Sequence, residues 1–548
     1  MFYSLGSLNR NMLIGELKIP AIARKTAVNQ SPAENLALSA AVDARQNGKL
    51  EKADKHIKLA LKRSPNDPNT LHQAALIARD RGRNSRALQL IEKAAEILPH
   101  SAPILCDMGL LYKSEGDNNK SIACQRRVCS MLPDSAPAWS NLGTALNAAG
   151  QYDEAIRALS CAIDINPHEP EFHFNQANAY LGQGDLNPAI ASFERTIELA
   201  PYHLKALINL ASAQKDIGRI SDAEITLAAA AQLAPTNPDV LWNEALMMLS
   251  QQDYQNGWAA YEARRSIPGF AIRHQDKPSW DGSDLEGRKL LIHAEQGLGD
   301  TLQFCRYLEH FTEQDIDFAV ELPERLLPLL SSLPSSDHHV AIGQNTRCDV
   351  QAPLMSLPHL IGPAEPFYPA TRAYIPAEEN SVAQWRERLP SDGTLRIALC
   401  WQGNTDYRAD ANRSIPLDAF SPIATLENIQ LISLQQGDST EDLARQSWGA
   451  NVLSLGNDID TDGAFVDSAA ILKSVDLLIT SDTAIAHLGG ALGVKTWLAL
   501  AFVPDWRWGL SGTETSWYPS MTLYRQPQHG DWASIFKKIT HDLKEQYS

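Results

Sequence analysis

The sequence predicts an α-solenoid over its first half and an α/β region with two parallel-sheet halves over its second. Two observations carry this. Proline, glycine and a small residue each recur every 34 residues between positions 48 and 235. From about residue 280, short β-prone apolar runs alternate with amphipathic stretches. Composition agrees with both: of 548 residues, 44 % are hydrophobic and 21 % charged. That is enough apolar surface for packed domains, and the length suits about three or four of them at roughly 100–200 residues each.

The period is registered on three residue types. Prolines stand at 65, 99, 133, 167, 201 and 235, and glycines at 48, 82, 116, 150, 184 and 218. Ala53, Ala87, Ser121, Ala155, Ala189 and Ala223 each lie five residues after a glycine. Such spacing describes a helix hairpin. The glycine turns the chain, the small residue lets two helices approach, and the proline closes the second helix. Ala136–Glu169, with Trp139, Leu142, Gly143, Leu146, Gly150, Ala155, Leu159, Ala162 and Pro167, resembles the tetratricopeptide repeat position by position. Six units cover about 34–237 after an N-terminal extension, 1–33. A degenerate seventh, with Trp242 and the stretch Asp253–Arg265, extends the expected solenoid to 34–271. Stacked repeats form a curved face that binds extended peptides or proteins, or serves assembly.

In the second half, strands are expected at Lys289–His293, Phe318–Glu321, Arg396–Cys400, Ile429–Leu434, Asn451–Leu455, Leu477–Thr480 and Thr496–Leu500. Helices are expected at Thr301–Phe311, Pro323–Leu330, Leu417–Leu426, Phe465–Lys473, Thr483–Leu492 and Trp532–Glu545. This alternation implies parallel sheets with helical crossovers. A connection near Ala373–Pro390 divides the region into halves at 272–385 and 386–548. Ligands in such folds bind beyond the carboxyl ends of the strands.

Three segments suit chemistry. In His293–Leu308, Gly297 and Gly299 permit close backbone approach, and Asp300 stands at a helix start, either as a general base or as a helix cap. The third glycine of a dinucleotide fingerprint is replaced by Leu302. In Trp401–Leu417, Arg413 and Ser414 precede an expected helix with Pro416 at its start, which suits a phosphate or a solvated loop. In Ser474–Gly493, a buried strand leads into a helix starting at Asp482 or Thr483, with His487 one turn along. Its free N–H groups suit a diphosphate; the other reading is a core helix with an Asp cap and a satisfied histidine.

The acidic run Asp458–Asp462 contains a DxD pattern that could hold a divalent cation, but reads more simply as a solvated loop. The tryptophans at 506, 508 and 517, with Tyr518, suit core packing better than ligand stacking. The sequence contains no HExxH, no nucleophile elbow and no GxxxxGK[ST]. The net charge of -17 disfavours nucleic acid and anionic membranes. Seven cysteines without CxxC spacing argue against a disulfide framework and suggest a cytoplasmic setting. No apolar run reaches membrane-spanning length, and Glu16 and Lys18 interrupt the only signal-like stretch.

Taken together, EQGLGD with QFCRY, RSIPL, DTAIAHLGGALG, DWRWG, the GWAAYEARR junction and the WDG at 280–282 resemble bacterial tetratricopeptide-repeat proteins with a heptosyltransferase-like domain, of the glycosyltransferase family 9 type. The resemblance spans 34–548 and implies a GT-B fold, with two Rossmann-like lobes around a cleft and no metal. It implies Asp300 as the base, on an acceptor-side loop with Gln296, Gly297 and Gly299. It implies a nucleotide-sugar donor held by Arg413, Ser414, Gln436, Gly437, Asp482, Thr483, Ala484 and His487. The N-terminal half is short for a heptosyltransferase, which disfavours a lipid-A core acceptor. A repeat array fused to such an enzyme resembles protein O-glycosyltransferases, including flagellin-modifying enzymes. The expected activity is therefore transfer of a sugar to a Ser or Thr hydroxyl of a protein held by the repeats, flagellin first among candidates. The rivals are a lipopolysaccharide or polysaccharide glycosyltransferase whose repeats serve homo-oligomeric assembly, and a non-catalytic repeat adaptor.

Overall fold

The computed structural model describes residues 32–267, 270, 273–362, 373–390, 393–404, 410–437, 440–455 and 458–547. The N-terminal extension, up to residue 31, lies outside them, as do residues 405–409 of the Trp401–Leu417 segment. The chain divides into two compact units, one ending at Gln214 and one running from Lys215 to the C-terminus.

Among the described residues, fourteen helices lie between Pro32 and Tyr261; those of Pro32–Leu199 pair as five hairpins, and Pro238–Ser250 with Tyr254–Tyr261 forms the seventh hairpin of the array. The six periodic glycines all sit in the turns with φ between +69° and +94°, a backbone region that side chains resist. The six small residues five positions later are 0–1 % exposed, so the close helix approach requires them. Pro65, Pro99 and their counterparts follow the second helix of each pair by two residues, where a missing N–H costs nothing. One core runs from the first hairpin into the fifth, with Leu71, Ile91, Leu105, Val128, Leu146 and Leu159 among its members.

The packing in the fourth hairpin is tight enough to test. A Cβ added at Gly143 would lie 2.5 Å from Cγ of Leu159 and 3.0 Å from both its methyl carbons. Leu159 is itself fully buried and has nowhere to retreat. Gly143→Ala gains about 1 kcal/mol of helix propensity. Overpacking costs about 1–3 kcal/mol. A net loss of stability is expected, read as a lower midpoint in urea denaturation.

The unit from Lys215 onward contains the last helices of the array and two parallel sheets. Strands β1 (Leu290–His293), β2 (Phe318–Leu322), β3 (His339–Ala341) and β4 (Val350–Pro353) form the first, in order β3-β2-β1-β4. Strands β5 (Leu395–Cys400), β6 (Ile429–Ser433), β7 (Val452–Ser454), β8 (Leu477–Thr480), β9 (Thr496–Leu500) and β10 (Met521–Arg525) form the second, in order β10-β9-β8-β5-β6-β7. Every pairing is parallel. The second order is that of a doubly wound sheet, and its switch point lies between β5 and β8. In the first sheet the reversal lies between β1 and β4.

The seven expected strands are present; β3, β4 and β10 were not foreseen. All three lie at sheet edges; β3 is three residues long, β4 ends in proline, and β10 mixes Thr522 and Arg525 among its five residues, so none carries a strong apolar run. The helix expected over Thr301–Phe311 is two short helices joined by a 3-10 turn at Cys305–Tyr307. The packing boundary inside the helical array falls at 214, earlier than the 271 drawn from sequence. Its reason is the seventh hairpin, whose Trp242, Trp258 and Tyr261 share one core with β1, β2, β8 and Trp506. Trp258 lies edge-on to Phe304, Trp506 and Trp517 at centroid distances of 5.8, 5.4 and 6.3 Å. The aromatic segment is thus chiefly core packing, as expected.

Candidate functional site

The two switch points open on one cavity of about 710 Å³. That size suits a small-molecule or cofactor-sized ligand. The turn after β1 supplies Gln296, Gly297, Gly299 and Asp300; the doubly wound half supplies Arg413, Gln436, Asp482, Thr483, Ala484 and His487. Ten of the twelve residues expected at the site therefore line it. Ser414 and Gly437 do not. The Ser414 hydroxyl donates to Asp410 Oδ2 at 2.8 Å, and the residue lines a separate pocket with Trp401 and Asp442. The helix expected after Pro416 is a 3-10 turn, Leu417–Phe420, followed by Ser421–Ala424. Gly437, with φ +80°, forms the exposed bend beyond Gln436.

Asp300 occupies the third position of helix Leu298–Phe304. Its Oδ2 accepts the Gly297 N–H at 2.9 Å, and its Oδ1 accepts Arg507 Nη2 at 2.5 Å. Burial alone would raise its pKa, but the Arg507 guanidinium and the Gly297 N–H hold it below the usual carboxylate value. Asp300 is thus both a cap and half of a buried ion pair between the two sheet domains. Gln296, one turn earlier, holds φ +61°, a left-handed conformation unusual for a side-chain-bearing residue.

Helix Ala484–Ala491 begins against this turn. A Cβ at Gly299 would lie 3.1 Å from His487 Cδ2 and 3.3 Å from Ala484 Cα, so a larger residue there would press the two helix starts apart by a few tenths of an ångström. His487 Nδ1 is 2.9 Å from the Tyr518 hydroxyl, and its ring stacks on Trp508. Burial, and then the nearby Arg507 charge, push its pKa down to about 3, so the ring is neutral at pH 7. Asp482 shows the opposite behaviour from Asp300. Burial and the facing Asp505 carboxylate raise its pKa, against the opposing pull of Arg413 and Arg507.

Among the described residues, Arg413 is the cation of the cavity lining. Asp410 Oδ1 accepts its Nε at 3.0 Å and orients it. A Cβ at Gly403 would lie 2.6 Å from Arg413 Nη2, so that glycine makes room for the guanidinium.

Several lining residues were not foreseen, among them Gln402, Gly403, Gln435, Asp460 and Ser468. Gln435 Oε1 accepts the backbone N–H groups of Trp401 and Gln402, tying the ends of β5 and β6 together. The signal that could have found them is the paired glutamine-glycine steps directly after two expected strands. Asp460, in the acidic run, accepts from the Ser468 hydroxyl at 2.6 Å and from Gln436 at 3.1 Å. Asp458 and Asp462 are exposed, so the run does not converge as a ligand set. Among the described residues, the one grouping close enough to share an ion is His541, Asp542 and Glu545, largely exposed on the last helix.

Comparison with known proteins places the helical half. A TPR repeat model matches residues 143–184, and tetratricopeptide repeat models match 102–135 and 180–247. The first half is a tetratricopeptide-repeat array, a module of protein–protein interaction. The chain is 28 % identical over 335 residues to Protein FlbA of Caulobacter vibrioides, covering 55 % of this chain and 54 % of that protein. It thus spans about half the length of the curated relative it matches. Among solved structures, it resembles a tetratricopeptide repeat protein from Parabacteroides merdae at 15 % identity and TM-score 0.39, over 45 % of this chain and 96 % of that one. It also resembles MamA from Desulfovibrio magneticus at 20 % identity and TM-score 0.30, over 32 % of this chain and 99 % of that one. Among the described residues, no helix is long and apolar enough to cross a membrane, and all seven cysteines are free.

Proposed function

We propose that the chain is a GT-B-type glycosyltransferase that moves a sugar from a nucleotide-sugar to a Ser or Thr hydroxyl of a protein acceptor held by the repeats, with flagellin the leading candidate. One observation carries the reading: a single cavity, at the switch points of two parallel sheets, collects Asp300, Arg413, Asp482, Thr483 and His487. Donor diphosphate is assigned to Arg413 and to the N–H groups at the start of helix Ala484–Ala491. The acceptor oxygen attacks the anomeric carbon as the carbon–oxygen bond to phosphate breaks. Arg413 and the helix start stabilise the charge on the departing phosphate. The neutral His487 and buried Tyr518 shape the wall behind the sugar. The acceptor proton passes to a cavity carboxylate.

The test is calorimetry of the full chain with UDP, GDP, dTDP and CMP, together with the intact mass of flagellin from expressing cells. Wild type should bind one nucleotide, and Arg413→Ala should lose about 10–100-fold in affinity, the worth of a charge-assisted contact. Gly403→Ala should weaken binding in the same direction by displacing the guanidinium. Discrete sugar-sized masses on flagellin should disappear with Arg413→Ala. Absence of any nucleotide binding by wild type would leave the chain a repeat adaptor.

A further inference from the structure

A second, smaller cavity of about 130 Å³ adjoins the first. Its apolar walls come chiefly from two places, and Lys215, Asp216, Asn412, Asp505 and His529 add polar groups to them. The last repeat hairpin provides Trp242, Leu246 and Tyr261, and the stretch after β9 provides Phe502, Pro504 and Trp506. Among the described residues, only Arg413 and Asp482 line both cavities. A group that removes the acceptor's proton must reach the acceptor oxygen, which during attack lies against the donor's anomeric carbon, so a residue shared by the two cavities is well placed for the task.

The other described carboxylates at the two cavities each line only one of them. Asp300 and Asp460 line only the larger cavity. Both Asp300 oxygens are engaged, by Gly297 N–H and by Arg507. Asp460 accepts from Ser468 and Gln436. Asp216 and Asp505 line only the smaller one. Asp505 accepts from the Arg507 guanidinium at 2.9 Å and from the Arg507 backbone N–H at 3.1 Å. Among the described carboxylates, Asp482 alone stands at the junction, immediately before Thr483, the N-cap of helix Ala484–Ala491.

We propose that Asp482, rather than Asp300, is the catalytic base, and that the acceptor hydroxyl reaches it through the smaller cavity beneath the last repeat hairpin. The inference rests on the glycosyl-transfer reading. In the step, the acceptor oxygen bonds to the anomeric carbon, and the carbon–oxygen bond to the phosphate breaks with its electron pair staying on phosphate. The proton moves to an Asp482 carboxylate oxygen. Asp300 is then a positioning residue that holds Arg507 and the Gly297 turn. The charged groups facing Asp482 are Asp505, Arg413 and Arg507. Burial and Asp505 raise its proton affinity, which suits a base working near neutral pH; Asp300, held low, is a poorer proton acceptor.

The experiment measures transfer to purified flagellin from UDP-, GDP-, dTDP- and CMP-linked sugars, between pH 5 and 9, by the full-length chain. Wild type should show kcat/KM falling on the acid side at a pH above the ordinary carboxylate range. Asp482→Asn should lower kcat by about 10²–10⁴-fold and abolish that acid limb, with nucleotide affinity unchanged. Asp300→Asn should keep the acid limb. Folding of Asp482→Asn is checked by melting at pH 8, where loss of a buried carboxylate facing Asp505 should leave the melting temperature at or above wild type. An Asp482→Asn variant that keeps the wild-type kcat and acid limb, or loses only nucleotide affinity, would overturn the assignment while leaving glycosyl transfer standing. Wild type that neither transfers nor binds any of the nucleotides would overturn both.

Discussion

Arg507→Ala is expected to destabilise the C-terminal unit by about 3–5 kcal/mol, the cost of breaking a buried ion pair from one side. Arg507 is fully buried. Its guanidinium reaches Asp300 at 2.5 Å, Asp505 at 2.9 Å and Gln303, and lies 4.3 Å from the Trp506 ring centre. Alanine would leave two carboxylates without their cation and a cavity beside Trp506. The sign of the pH dependence follows from Asp300. Its native pKa lies below the ordinary aspartate value, so its pairing contributes stability above that value and loses it as the pH falls. The gap between wild type and variant should therefore be full at pH 7 and narrow below about pH 4, measured by urea denaturation across that range. Arg507→Lys should fall between the two, because an ammonium cannot reproduce a fork shared by three acceptors. A pH-independent gap would show that Arg507 acts by packing alone.

A loss of similar size is expected for Arg264→Ala. Arg264 closes the GWAAYEARR junction and has no exposed surface. Its guanidinium binds Glu295 at 2.6 Å, Glu262 at 2.7 Å and the Ser356 hydroxyl at 2.7 Å. Glu295 also accepts the Met355 N–H and directly precedes Gln296. The residue therefore anchors the seventh hairpin to the turn that carries the cavity loop. Removing it should cost about 3–5 kcal/mol. A double-mutant cycle with Glu295→Gln should show about 0.5–3 kcal/mol of coupling. Nucleotide affinity should fall with stability if the loop depends on this anchor. Independent energies in the cycle would exclude the network.

The repeat array was legible because its determinants are local. A turn that needs positive φ, a contact that needs a small side chain and a helix end that tolerates proline each select one residue type, at a spacing set by two helix lengths. Buried strands were legible for a similar reason: β1, β2, β5, β8 and β9 are uniform or nearly uniform apolar runs. Edge strands stood out less: β3 is three residues long and half-buried, β4 is broken by Gln351 and ends in Pro353, and β10 mixes Thr522 and Arg525 among its apolar residues. Much of the cavity lining was legible through motif resemblance, and ten of its members are where the motifs placed them. Ser414 was misplaced because Asp410, three residues before Arg413, captures its hydroxyl. That partnership depends on a short helix, Asp410–Arg413, which no periodic pattern announced.

Sequence alone determined the hairpins, the succession of strands and helices, and the candidate residues, since each is set by the chemistry of neighbours a few positions apart. Only the tertiary structure decided that the seventh hairpin packs with the sheets, through Trp258 and Arg264. It also decided how Asp300 and Asp482, two carboxylates at similar strand-to-helix turns, come to differ. One meets Arg507 across the gap between sheets and is held ionised; the other meets Asp505 and is raised. Partners separated by more than 20 residues in one case and by more than 200 in the other set those charges, and pairing over such distances is a property of the packed chain.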